Sequence, residues 1–300
     1  NRPMIRPKFD IIDGKPTVVI PKDWKLTERF TTDREHVITV KSLLTGGDGN
    51  TKLKKNKTAR VDVFSHKIET VGLPLAPHSL SGFNTCTSST EACRNGCLDG
   101  CGMRAVWEGM HLYKIAKTVW LFSDPPSFLQ MLDSELKAKQ RQLAKREGDW
   151  KLAARLNVFS DIPWEKLRYA RGLGKTIDIL TANKGVIFYD YTKHNNRSGW
   201  LKPNYFVTFS RSDRNHKVAL RQLASGHNVA VVFASKRGKQ FTTVPKTWHG
   251  FDCFNADESD LRFADPTGRK RGKVAALKLK APTLAQYQQA LTTGFPVLQA

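Results

Sequence analysis

The 300-residue sequence predicts an α/β fold: a complete or partial parallel βα barrel preceded by an irregular, β-containing N-terminal extension. Three observations carry this expectation. Short, nearly continuous apolar runs recur along the chain, as in strands buried on both faces. Segments with helical apolar spacing separate them. The runs also end alike, in small polar or charged residues, as strands opening onto one rim do.

Taken in order, residues 1–80 hold β-like pieces at Thr17–Ile20 and His36–Val40 between turn-rich polar stretches, and form the extension. Within it, Gly46–Lys57 has too little apolar content to pack and predicts a basic loop, either a solvated excursion or a phosphate-contacting arm. Residues 81–300 are assigned to a cysteine loop and the barrel-like domain, with strands expected near 118–123, 155–160, 186–191, 205–210 and 228–234. Pro126–Gly148 reads as one long helix, because Phe128, Leu129, Leu132, Leu136 and Leu143 form an apolar stripe beside a crowded basic surface. Lys217–Ser225 and Pro282–Thr293 are shorter helical segments.

If these strands are parallel neighbours, their polar endings converge. Asp161, Tyr191, Lys193 and Arg211 are then the candidate catalytic side chains, and the Ser123, Ser160 and Ser210 hydroxyls the candidate cofactor contacts. The plainer alternative is that polar residues follow any buried strand as it leaves the core.

Four of the five cysteines, Cys86, Cys93, Cys97 and Cys101, fall within sixteen residues, spaced C-x6-C-x3-C-x3-C, while Cys253 stands alone between aromatic neighbours and predicts a buried core thiol. The spacing lacks the paired C-x2-C knuckles of a zinc ribbon. Soft thiolates on a glycine-rich loop suit an iron–sulfur cluster. Structural zinc, and cysteines that are free or paired as disulfides, are the other two explanations. Cys86, Cys93 and Cys97 are the first three expected ligands, with Cys101 completing the set.

Charge points to a partner. With 49 Lys and Arg against 27 Asp and Glu, the net charge is +22, a field that attracts polyanions. Nucleic acid, DNA or RNA, is the expected partner, contacted through Lys52, Lys54, Lys55, Lys57, Lys137, Arg141, Lys145, Arg146, Arg269, Lys270 and Arg271. No apolar stretch approaches the ~18–20 residues that span a bilayer, no basic amphipathic helix marks a membrane surface, and the expected location is the cytoplasm. The Gly172–Thr176 segment lacks the first glycine of a phosphate-binding loop, and the histidines show neither H-x-H nor H-E-x-x-H spacing. Asp257, Glu258, Asp260 and Asp265 form either a divalent-cation cluster or a solvated turn.

The stretch Cys86–Cys97, then Arg155-Leu-Asn-Val-Phe-Ser-Asp161, Phe188-Tyr-Asp-Tyr-Thr-Lys193 and Ala256-Asp-Glu-Ser-Asp-Leu-Arg-Phe-Ala-Asp-Pro266, resembles the phage "gene product 88" family over roughly residues 80–280. The cysteine arrangement also resembles that of radical-SAM barrels, but their C-x3-C-x2-C signature differs from the C-x3-C-x3-C seen here. The resemblance implies a phage-encoded βα protein, located in the host cytoplasm, with a thiolate-held cluster and S-adenosylmethionine as a second cofactor. Together with the charge it predicts a basic, nucleic-acid-binding protein, an iron–sulfur enzyme acting on nucleic acid or its precursors. The alternatives are a metal-dependent or tyrosine-based nuclease or replication protein, with His194 beside Tyr191 and Lys193, and a non-catalytic DNA-binding protein.

Overall fold

Strands of this chain form where β-branched and aromatic residues run together, and most of them join one sheet. The computed structural model describes residues 6–26, 30–46, 66–97, 107–170, 175–268, 270–281 and 283–299. The N-terminal part is a three-stranded antiparallel sheet of β1 (Lys8–Ile12), β2 (Lys15–Ile20) and β3 (His36–Thr39). The tight β1–β2 turn carries Asp13 and Gly14, both with positive φ, as a two-residue hairpin connection favours.

The second sheet has eleven strands. Its parallel members are β5 (Lys67–Gly72), β6 (Trp150–Arg155), β9 (Val186–Thr192), β11 (Tyr205–Ser210), β12 (Val229–Ser235), β14 (Phe251–Asn255), β15 (Val274–Lys278) and β16 (Val297–Gln299). The order from one edge is β5-β6-β9-β11-β12-β15-β14, with β16 also paired to β12. Antiparallel strands end it: β4 (Thr45–Gly46) beside β5 and β13 (Thr247–Trp248) beside β14. β10 (Gly199–Lys202) runs antiparallel along β11, and a separate ribbon pairs β7 (Tyr169–Ala170) with β8 (Thr176–Ile177).

The strands expected near 186–191, 205–210 and 228–234 are present and parallel. Among the described residues the sheet is open, because no described strand joins β4 to β13; of the expected complete or partial barrel, the α/β class with a large, mostly parallel sheet and helices is present, and no closed sheet is seen. Residues 66–80, placed by sequence in the N-terminal extension, supply β5 and part of the main core.

Among the described residues six helices connect the strands: α1 (Glu91–Asn95), α2 (Glu108–Ser123), α3 (Pro125–Ala144), α4 (Ile179–Ala182), α5 (His216–Ala224) and α6 (Leu284–Leu291). The strand expected at 118–123 is the second half of α2, and Ser123 ends that helix on the exposed surface, away from any strand end. The misleading signal has a physical cause. α2 is buried over most of its circumference, so Thr118–Leu121 reads as a continuous apolar run, whereas Leu112, Ile115, Ala116 and Val119 keep helical spacing. The strand expected at 155–160 likewise ends at Arg155, and residues 156–161 form the loop that follows it.

One hydrophobic core unites the two sheets: Val18, Ile20, Val40 and Leu43 pack with Leu112, Ile115, Val119, Leu132, Leu136, Leu152 and Phe188. Polar anchors reinforce the seam. Glu135 of α3 accepts from the amides of Leu43 and Leu44 at 2.7 and 2.9 Å, and Lys117 donates to the Leu43 carbonyl at 2.7 Å. Burial pushes the Lys117 ammonium down to about 8 despite Glu135 nearby.

Two glycines test the packing in opposite directions. A Cβ at Gly272 would stand 2.0 Å from the His227 carbonyl oxygen, whereas at Gly109, in the first turn of α2, it would meet nothing within 4 Å. Gly272→Ala is expected to lower unfolding free energy by about 2–3 kcal/mol, and Gly109→Ala to raise it by up to ~1 kcal/mol, both read by urea denaturation.

Candidate thiol centre and basic groove

The carboxyl ends of β6, β9 and β11 lie side by side, and the loops leaving them are built around two side chains, Asn157 and Asp161. Asn157 is 2% exposed. Its side-chain oxygen accepts from Ser160 Oγ, Ile162 N and Trp164 Nε1 at 2.8, 2.9 and 3.0 Å, which closes the turn after β6. Its own amide donates to Asp190 Oδ1 at 2.6 Å, tying the turn to β9, and Tyr205 of β11 donates to Asp190 Oδ2 at 3.0 Å. Asp190 is fully buried. Burial pushes its carboxyl up to about 7 against the opposing effects of the Asn157 amide, Arg155, Tyr205 and Arg197.

The turn then delivers Asp161. Its carboxylate accepts from Thr192 Oγ1 and Lys193 N, both at 2.8 Å, and from Arg197 Nη1 at 3.3 Å. Arg197 is itself held by two hydrogen bonds to Glu165, at 2.8 and 2.9 Å. The Asp161 amide donates to the Thr85 carbonyl at 2.8 Å, and this bond draws the cysteine loop onto the strand ends.

On that loop the Cys86 thiol donates to the Phe159 carbonyl at 3.4 Å. Thr90 caps α1 by accepting from the Cys93 amide at 3.1 Å and donates to Asp213 Oδ1 at 2.5 Å, in the loop after β11. Ser88 Oγ meets His194 Nδ1 at 2.9 Å. Lys193 lies at the middle: its ammonium donates to Ser210 Oγ at 3.3 Å, hydrogen-bonds Cys93, and feels Asp161 and Cys86. Burial acts to lower its pKa, but Cys93 and Asp161 outweigh that and hold it raised. Burial is also the main influence on Cys86 and pushes its thiol up, so this sulfur rests protonated and must lose its proton to act as a ligand.

The expected site residues separate into distinct groups. Asp161, Lys193, Ser210, Cys86 and Cys93 are brought together. Arg211 clamps the C-terminal segment, donating to the Gly294 and Phe295 carbonyls at 2.8 and 2.6 Å, and the Phe295 ring lies 5.9 Å from the Lys193 ammonium. Tyr191 is withdrawn to the sheet face opposite Asp190, because side chains alternate along β9; Arg155 stacks on its ring at 4.9 Å, and burial raises its phenol. The Ser160 hydroxyl is committed to Asn157, so the three serines expected to contact a cofactor do not act together. Cys101 lies outside the described residues.

Cys86, Cys93 and Cys253 are free thiols. Cys253 is half-buried in β14, on the edge of the core. Among the described residues at this edge, no three cysteine, histidine or carboxylate donors lie within 4.8 Å of one another. A single tetrahedral zinc ion, with Zn–S of ~2.3 Å, sets its sulfurs roughly 3.8 Å apart, so three donors are not preset for one ion. A polynuclear cluster spaces its thiolates more widely, and the soft donors Cys86 and Cys93 suit it.

Sequence reasoning missed Asn157, Glu165 and Arg197 as members of this edge. Asn157 carried a usable signal, a polar residue set directly after a buried apolar strand.

At the amino ends of β14 and β15 lies a second feature, an open groove of about 440 Å³ lined by Gly250, Phe251, Asp252, Gly268, Lys270, Arg271, Gly272 and Lys273. The Arg271 guanidinium stacks 4.1 Å from the centre of the Phe251 ring, which orients it. Three cations face one carboxylate there. Of the other residues expected to contact nucleic acid, Lys137 pairs with Asp133 and Arg146 with Glu69, Arg141 and Lys145 are exposed, and Lys52, Lys54, Lys55, Lys57 and Arg269 lie outside the described residues.

An open parallel sheet with a cysteine loop laid over its carboxyl edge defines the class of this protein. The chain belongs to the phage family described as Gene product 88, which matches residues 42–290. No curated protein and no solved structure matches it.

Asp190 gives the edge a pH signature. Its folded pKa lies above the unfolded value, so the stability it contributes is fully present below pH ~4 and is lost as pH rises through about 7. Asp190→Asn should remove that dependence: urea midpoints measured from pH 4 to 8 are expected to fall more steeply in the wild type than in the variant.

Proposed function

We propose that this protein binds nucleic acid through its basic surface and acts on it, or on its precursors, at an iron–sulfur centre held by the cysteine loop. The observation that carries this reading is the convergence of Cys86 and Cys93 on Lys193 over the ends of three parallel strands, the edge at which sheets of this type place their chemistry. When bound, a cluster with one open iron position supplies one-electron chemistry. The chain's own residues do the rest. Lys193 offers a fixed positive charge beside the sulfurs, Asp161 sets the backbone that carries it, and Phe295 covers it from the C-terminal side.

S-adenosylmethionine as the partner of such a cluster belongs to the same proposal, as do a partial-barrel description of the open sheet and a host-cytoplasmic location. A tyrosine-based nuclease is less well supported, because Tyr191 is half-buried on the other face of the sheet, with Arg155 stacked on its ring. Asp257, Glu258 and Asp265 are committed locally: Asp257 accepts from Lys278 N at 2.8 Å, Glu258 from Asn255 at 2.9 Å, and Asp265 pairs with buried Arg262 at 3.2 Å.

Anaerobic purification with iron and sulfide analysis tests the centre. Visible cluster absorption and bound iron and sulfide are expected in the wild type and in Cys253→Ser, and should be lost in Cys86→Ser and Cys93→Ser. An iron-free wild type, or serine variants that keep the cluster, would refute it.

The nucleic-acid partner is tested by titrating labelled duplex and single strands at several salt concentrations. Affinity should fall steeply with salt, and Lys270→Ala, Arg271→Ala and Lys273→Ala should each weaken binding to all sequences alike, reducing the duplex log–log slope by about 0.9 per lost phosphate contact. Binding that is absent at low salt removes this half of the proposal.

A further inference from the structure

A second cluster of potential ligands lies away from the thiols, at the seam between the N-terminal sheet and α2. It consists of Asp33, in the turn that enters β3, His36, the first residue of β3, and Glu108, the first residue of α2. One donor atom from each lies within 4.8 Å of the other two. His36 Nε2 is 3.4 Å from Glu108 Oε1 and 3.9 Å from Asp33 Oδ1.

These separations match what one cation imposes. With metal–ligand distances of about 2.0–2.2 Å for imidazole and carboxylate, ligand atoms around a single ion stand roughly 3 to 4.4 Å apart. The imidazole supplies the second observation. His36 is only 13% exposed, and its Nε2 atom is buried with no hydrogen-bond partner, although two carboxylates lie within 4 Å. A buried polar atom without a partner is costly, and a cation at the centre of the three donors would satisfy it.

We propose that Asp33, His36 and Glu108 bind a divalent first-row cation. Two hard carboxylates with one borderline imidazole select Mn²⁺ or Zn²⁺ over the soft metals that the cysteine loop attracts. Asp33 and Glu108 are 84% and 50% exposed, so the remaining coordination positions open to water. Such an ion pins β3 to the start of α2. That seam is otherwise fastened by Tyr113, which donates to the Thr39 carbonyl at 3.2 Å and accepts from the Lys41 amide at 2.8 Å.

Mn²⁺ is the probe of choice, since thiols compete poorly for it. Loss of the free Mn²⁺ resonance signal on adding protein should report one equivalent bound, and binding should raise the thermal midpoint by mass action. His36→Ala and Glu108→Gln should each weaken binding by more than about tenfold, while Cys86→Ser and Cys93→Ser leave it unchanged. Glu108→Gln replaces a half-exposed side chain, so it separates loss of a ligand from loss of fold, which circular dichroism checks. No Mn²⁺ bound by the wild type, binding that survives both ligand variants, or binding abolished by the cysteine variants would each overturn the assignment. A protonated His36 paired with the two carboxylates, needing no metal, is the first of those outcomes.

Discussion

The hydrogen bond from the Asn157 amide to the buried carboxylate of Asp190 is the constraint on which the carboxyl edge depends. It joins the end of β6 to β9 inside the core, where an unpaired donor or acceptor would cost about 1–3 kcal/mol. With Asn157 fixed, its side chain closes the following turn and presents Asp161 at one angle. Asp161 in turn orders the backbone after β9 and the cysteine loop through Thr85. Lys193, Cys86 and Cys93 thus owe their convergence to two residues, neither of which bears a thiol.

The same geometry separates two tasks. Thiols, Lys193 and the Asp161 carboxylate occupy the carboxyl edge between β6 and β11, whereas Lys270, Arg271 and Lys273 surround the groove where β14 and β15 begin. On the proposed function, a polyanion held at the groove would not compete with a cluster for the same cations, and Lys193 would stay with the sulfurs. Arg211, expected at the reaction centre, has a supporting role: it fixes the segment carrying Phe295, whose ring also lies 3.5 Å from where a Gly96 side chain would begin.

Much of this arrangement was legible in the sequence where burial is two-sided. β9, β11 and β12 show continuous apolar runs because parallel strands covered on both faces must, and the polar residues that end β9 and β11, Lys193 and Ser210, lie at the carboxyl edge. The run in α2 deceived for the same reason, since a helix buried on nearly all sides loses its polar stripe. Tyr191 failed through the two-residue alternation of a strand: its neighbours in sequence serve the edge, but its own side chain faces the other way. Closure of the sheet was not legible at all, because pairing of the first and last strands is a long-range event that no local pattern encodes. Asp33, His36 and Glu108 were equally hidden, being 72 residues apart from His36 to Glu108 and joined only by the packing of α2 against β3.

The most direct test of the central claim is the paramagnetic resonance spectrum of the anaerobically purified, reduced protein, compared with that of Lys193→Ala. With an iron–sulfur centre beside the Lys193 ammonium, the wild type should give a cluster signal, and the variant should keep both cysteines but shift that signal as the neighbouring charge is removed. The absence of any cluster signal, or a spectrum identical in the two proteins, would contradict a centre built where Cys86, Cys93 and Lys193 meet.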